Sequence, residues 1–175
     1  MTKTILEIDA SAEDTWEIFG RDFVNVQNWM AAIVRAEPIS KGTLVSGAPA
    51  IGRNSYLLSK QNGIYQHEVL VDYDDAKKYL AVEVTLMNTP FVNPLIGYSV
   101  KAWIEPITTT TCRIVWDGEP RLKLLAKLIP GTKGMLNPGF LRGVEELKHY
   151  VETGEWHPRK VKNMEEEQAY LARAT

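Results

Sequence analysis

The chain has 175 residues, a length that suits one domain, and its 20 Lys and Arg against 22 Asp and Glu leave a net charge of −2. Charge this mixed gives no concentrated basic patch for phosphate, so no nucleic-acid partner is expected. The single cysteine, Cys112, excludes an intrachain disulfide, the first residues lack the apolar core of a signal peptide, and no apolar run is long enough to span a bilayer. The expected setting is the cytoplasm.

Residues 2–9 predict a strand, rich in β-branched side chains. Ser11 is a good helix cap with Asp14 at the capping-box position, and a helix over 12–19 follows, with Trp16 and Phe19 on one side and Gly20 as its stop. A second helical turn at 26–30 carries Trp29. Strand-like runs then follow at 32–39, 50–59, 64–73, 78–87, 96–107 and 110–118. KQNG, residues 60–63, predicts a hairpin turn, and the two prolines of NTPFVNP, residues 88–94, predict a loop. Strands joined this closely pair antiparallel, because parallel neighbours need longer crossovers. Residues 122–129, LKLLAKLI, read as a short helix or a lid segment.

NPGFLRGVEELKHYVETG, residues 137–154, reads as one long amphipathic helix. Asn137 can cap it, Pro138 suits its first position and Gly154 can end it. Phe140, Val144, Leu147 and Val151 form its apolar stripe, with Arg142, Glu145, Glu146, Lys148 and Glu152 expected to stay wet. Gly139 and Gly143 each cost the helix roughly 1 kcal/mol; a roomy cavity or a tight strand contact beside them would explain both. The polar residues 155–175 read as a solvated or frayed tail, with an oligomerisation helix as the alternative. Within it, residues 159–173 could form a helix with only a weak stripe from Val161, Met164, Tyr170 and Leu171.

Alternation assigns faces. Leu80, Val82, Val84 and Leu86 share one face; so do Ile96, Tyr98, Val100, Ala102 and Ile104; so do Cys112, Ile114 and Trp116. These sets are expected to point toward the long helix. Residues 64–73 are ambiguous. Gln66, Glu68, Leu70 and Asp72 oppose Tyr65, His67, Val69, Val71 and Tyr73, and hydrophobicity alone puts Glu68 outside.

The order of elements, SAEDTWEIFGRD followed by Trp29, the stretch from Gly52 to Asp74 with GRN and HEVLVDYD, and the C-terminal helix together resemble the START-like, helix-grip superfamily (SRPBCC). That group includes polyketide cyclases and dehydratases, the birch-pollen allergen family and the abscisic acid receptors. The resemblance covers residues 1–154 and implies an α+β helix-grip fold: a curved antiparallel sheet wrapped around the long helix, with a ligand cavity between them. It implies an apolar or amphipathic small-molecule partner, and it turns Glu68 and Tyr98 toward that cavity, for Tyr98 in agreement with the alternation pattern and for Glu68 against it. NTPFVNP departs from the receptors' latch loop, so their gating is not expected here.

On that reading the ligand-binding wall is Leu80, Val82, Val84, Leu86, Val100, Trp116, Phe140, Gly143 and Val144, and the catalytic pair is Glu68 and Tyr98. A carboxyl held near neutrality inside an apolar cavity can give and take protons, as cyclisation or dehydration requires. A tyrosine hydroxyl can steady a developing enolate. Equally, both groups could only orient a ligand's polar end. A cofactor-independent cyclase or dehydratase is the first reading and a non-catalytic carrier of a lipid or other metabolite the alternative. A protein-interaction module is a third class, disfavoured because the inward faces carry polar groups that a solid core would not want. His67, His149 and His157 lack metal-site spacing, so no metal or cofactor is expected. Cys112, Trp16 and Trp29 are expected in the core. Arg53 matches an arginine common in relatives and would suit a strand-edge ion pair. Homodimer formation is left open.

Overall fold

A computed structural model of the chain describes residues 2–124 and 137–174. The described strands are β1 (Thr2–Ile8), β2 (Ile33–Pro38), β3 (Gly52–Leu57), β4 (Tyr65–Asp74), β5 (Tyr79–Met87), β6 (Leu95–Pro106) and β7 (Cys112–Leu122). They form one sheet in the order β1-β7-β6-β5-β4-β3-β2, every neighbour antiparallel. Consecutive strands from β2 to β7 are therefore hairpin neighbours, as their short connections require. β1 and β2 lie on opposite edges, so the chain between them must cross the sheet. It does so as helix α1 (Ala12–Trp16), a π-helical turn (Glu17–Arg21) and a 3-10 helix (Phe23–Asn28). Ser11 caps α1, its Oγ accepting from the Asp14 N–H at 3.0 Å. Asp75, in the turn after β4, fastens this crossing: it accepts from Trp16 Nε1 at 2.7 Å and from Arg21 Nε and Nη2 at 2.8 and 2.9 Å.

Helix α2 (Asn137–Thr153) packs across the sheet with Phe140, Val144 and Leu147 buried. It ends at Gly154, whose φ of +73° is the left-handed conformation that glycine takes without strain; its N–H donates to the Tyr150 carbonyl at 2.9 Å. The Asn137 side chain, expected as the cap, and residues 125–129 of the expected lid segment lie outside the described residues. Trp16, Phe19, Phe23, Trp29, Trp116 and Phe140 are all buried, and Trp116 stands between Phe19 and Phe140 at ring distances of 5.5 and 6.0 Å. Gly118 makes room for this packing, because a Cβ there would come within 1.9 Å of the Phe140 ring.

Two bulges change the faces that alternation assigns. Gln66, Glu68 and Leu70 share the inward face, and because the register shifts between Leu70 and Asp72, Tyr73 of the opposite parity faces inward beyond it. A second shift between Leu95 and Gly97 leaves Ile96 exposed, although it shares parity with Tyr98. A bulge adds one unpaired residue and so inverts the alternation beyond it.

The tail is not a solvated or frayed segment. Helix α3 (Pro158–Ala174) docks on β2, on the β3–β4 turn and on α2. Lys160, only 1 % exposed, donates to the Ile33 carbonyl at 2.6 Å, and Asn163 donates to the Ala31 carbonyl at 2.9 Å. Glu167 accepts from the Ser59 N–H at 2.8 Å and from its hydroxyl. Lys160, Asn163 and Glu167 recur at i, i+3 and i+7, so this helix buries a polar face that hydrophobic periodicity does not register. The same docking buries Glu146, expected to stay wet.

Candidate functional site

The N-terminal half of α2, the β4–β7 wall and α3 enclose a cleft of about 630 Å³. Sheet residues Gln66, Leu86, Leu95, Tyr98 and Trp116 line it, as do Met30, Ala31 and Ala32. Helix α2 contributes Gly139, Phe140, Arg142, Gly143 and Glu146; α3 and the β3–β4 turn contribute Arg159, Lys162, Asn163, Glu166 and Lys60. The two glycines explain themselves here. A Cβ on Gly139 would meet no described atom within 4 Å, and one on Gly143 would touch only Met30 Cε at 3.5 Å. Space rather than a tight strand contact stands beside them.

Behind this cleft lies an inner void of about 30 Å³, lined by Phe19, Phe23, Arg53, Glu68, Leu80, Val82, Val84 and Val100. Met30, Gln66, Tyr98 and Trp116 line both spaces. The structure thus divides the expected wall. Leu86, Trp116, Phe140 and Gly143 line the cleft, whereas Leu80, Val82, Val84 and Val100 line only the inner void. Val144 is fully buried in the core and lines neither. The deep space expected around those residues is occupied by the aromatic cluster.

Glu68 points inward but does not reach the cleft. It is 5 % exposed and paired with Arg53, itself 6 % exposed, whose Nη2 donates at 2.7 Å. The Ser55 hydroxyl donates to its other oxygen at 2.5 Å, while Arg53 Nη1 donates to the Phe23 carbonyl and the guanidinium lies 4.0 Å from the Phe23 ring. Arg53 therefore makes a buried interior ion pair, not one at a strand edge, and Glu68 is not an isolated carboxyl. Tyr98 is half-buried, and its hydroxyl donates to Gln66 Oε1 at 2.8 Å. Burial raises its pKa well above the usual tyrosine value and the Glu68 charge adds to that, with Arg53 opposing, so it stays a neutral phenol that can donate.

Sequence reasoning missed several groups on the cleft. Gln66 shares parity with Glu68, so the reversal that turned one inward implies the other. Glu146, 4 % exposed, accepts from the Ala31 N–H at 2.8 Å and from Arg159 Nε at 2.9 Å. Burial raises its pKa, opposed by those two donors. The α3 residues carried no apolar signal that could have found them. Trp116 is 8 % exposed, and its Nε1 has no acceptor among the described residues. Among the described residues no three His, Cys, Asp or Glu side chains are placed to hold a metal ion, and no helix is long and apolar enough to cross a membrane.

The sequence profile of a family described as "Polyketide cyclase / dehydrase and lipid transport" matches residues 1–152. A START superfamily protein from Mycobacterium smegmatis has a similar structure, with a TM-score of 0.65 at 14 % identity over 88 % of this chain and 98 % of its own. The protein XoxI from Bacillus cereus gives 0.66 at 19 % identity over 89 % and 98 %. The di-domain ARO/CYC BexL from the BE-7585A biosynthetic pathway gives 0.66 at 15 % identity, over 86 % of this chain and 46 % of its own. At these identities the likeness carries the fold. Comparison with curated protein sequences finds no match.

Proposed function

Because this chain belongs to the polyketide cyclase/dehydrase and lipid transport family, we propose that it binds an amphipathic small molecule with an apolar body in the cleft between α2, α3 and the sheet. The observation that carries this is the cleft itself. Its size is that of a small-molecule site, and its wall mixes Met30, Leu86, Leu95, Trp116 and Phe140 with polar and charged side chains, the charged ones on α2, α3 and the β3–β4 turn. Glycine at 139 and 143 keeps the space open at a cost to the helix. Tyr98 and Gln66 orient the ligand from inside the cleft, and Glu68 with Arg53 holds the sheet behind them.

The test is a fluorescence titration with N-phenyl-1-naphthylamine, an uncharged apolar probe, alongside native mass spectrometry of the purified protein. Saturable one-to-one binding supports the reading, and no binding overturns it. A second reading, cyclase or dehydratase activity, has one observation in its favour. Tyr98 and Gln66 line both spaces, so Glu68 stands one side chain behind the cleft. Loss of turnover of a linear poly-β-ketone in Glu68→Gln and Tyr98→Phe, with probe binding kept, would favour it.

A further inference from the structure

The charged groups around the cleft are unevenly paired. Glu146 is taken by Arg159 and the Ala31 N–H, and Arg159 also donates to Glu145 Oε2 at 2.7 Å. Glu166 is taken by Lys60 at 2.5 Å. Two cations on the wall are left over. Arg142 has no ion pair among the described residues, and Lys162 reaches only Glu166, at 4.0 Å, where Lys60 is already bound. The two belong to different helices fastened together beside them. Arg159 Nη2 donates to the Arg142 carbonyl at 3.2 Å, and Lys162 follows Arg159 by three residues, one helical turn along. Cations with no close ion pair among the described residues, on the partly apolar wall of a cleft, are placed to receive an anion. Farther in, Trp116 offers a buried N–H without an acceptor, a donor that a neutral ligand oxygen would satisfy.

We propose that the ligand is an anionic amphiphile whose charged end is held between Arg142 of α2 and Lys162 of α3, with its apolar body along Phe140 and Leu86 and an uncharged oxygen accepting from Trp116. This rests on the binding reading above and specifies the chemistry of that same site. It gives α3, which lies beyond the family match at residues 1–152, the task of selecting the ligand's end group.

Two probes of similar shape separate charge from apolar burial: 1-anilinonaphthalene-8-sulfonate carries an anion, and N-phenyl-1-naphthylamine lacks it. The wild-type protein is expected to bind the sulfonate more tightly, and increasingly so as salt is lowered. In the double variant Arg142→Gln/Lys162→Gln the sulfonate should lose roughly tenfold or more in affinity, as loss of charge-assisted hydrogen bonds implies, while the neutral probe changes less than about twofold. Competition with dodecanoate, dodecyl phosphate and dodecanol then identifies the end group. The better of the two anions names it as carboxylate or phosphate, and neither anion displacing probe better than the alcohol overturns the proposal. Unchanged sulfonate affinity in the double variant overturns it as well, as does an equal loss for both probes with helix content intact by circular dichroism. Failure of the wild type to bind even the neutral probe would instead overturn the binding reading itself.

Discussion

Gly143 offers a substitution that should raise stability and a larger one at the same point that should block the cleft. It lies in the interior of α2, where glycine costs about 1 kcal/mol relative to alanine. An added Cβ meets only Met30 Cε, at 3.5 Å, an ordinary van der Waals distance. Gly143→Ala should therefore stabilise by about 1 kcal/mol, and for a chain of this size that raises Tm by roughly 2–4 °C. Gly143→Leu gains similar helix propensity but must extend into the cleft, since that is the space beside this Cβ. Forcing extra methylenes into space that is already filled costs on the order of 1–3 kcal/mol, so with the leucine side chain in the space the probe would fill, N-phenyl-1-naphthylamine should bind roughly tenfold or more weakly. Thermal melts and probe titrations on the same preparations give both numbers. A lower Tm for Gly143→Ala would refute the open space beside α2. Unchanged probe affinity in Gly143→Leu would refute the cleft as the binding site.

Arg53→Met strands the buried Glu68 carboxylate and should destabilise by about 3–5 kcal/mol. The double variant Arg53→Met/Glu68→Gln should recover part of that loss, because no buried charge remains unpaired; strictly additive losses in urea unfolding would contradict a coupled pair. Burial lowers the Lys160 pKa from 10.5 to about 8, with Glu146 opposing. Between those values the unfolded chain binds more protons than the folded one, so this site makes stability rise with pH across about 8 to 10.5, by up to roughly 3 kcal/mol. Subtracting the pH profile of Lys160→Met from that of the wild type isolates the rise, and a flat or falling difference would count against the burial of this ammonium group. Tyr98→Phe removes the donor to Gln66 but keeps the ring, so an uncharged apolar probe should bind within about threefold of wild type, since a neutral hydrogen bond is worth about 1 kcal/mol. A much larger loss would mean that the hydroxyl, rather than the ring, carries binding.

The fold was legible because its signals are local. Strand-length apolar runs separated by KQNG and paired prolines leave little choice but hairpins, and the stripe Phe140, Val144, Leu147 over an unbroken helix must meet a sheet. Arg53 and Glu68, fifteen residues apart, were both singled out by resemblance, but the resemblance did not pair them. Pairing needs the register of β3 against β4, which places Arg53 opposite Glu68. Ile96, expected inward with Tyr98, is exposed for a related reason, and Tyr73 shares the interior with Glu68 despite its opposite parity: a bulge costs one residue, leaves little trace in composition and inverts every face beyond it.

By itself the sequence determined the order of elements, the antiparallel meander and the helix that crosses it, and it marked Gly139 and Gly143 as places where bulk is avoided. Only the tertiary structure decided where the open cleft lies. The aromatic residues of the crossing helices fill the deep interior around Val82 and Val84, since side chains distant in sequence compete for the same volume. The open space moves outward to Gly139 and Gly143, and α3 becomes its far wall. That helix docks through Lys160, Asn163 and Glu167, whose partners are backbone and side-chain groups on other elements. A polar face becomes an interface only when its hydrogen-bond partners are in place, and nothing in the composition of one helix reports that.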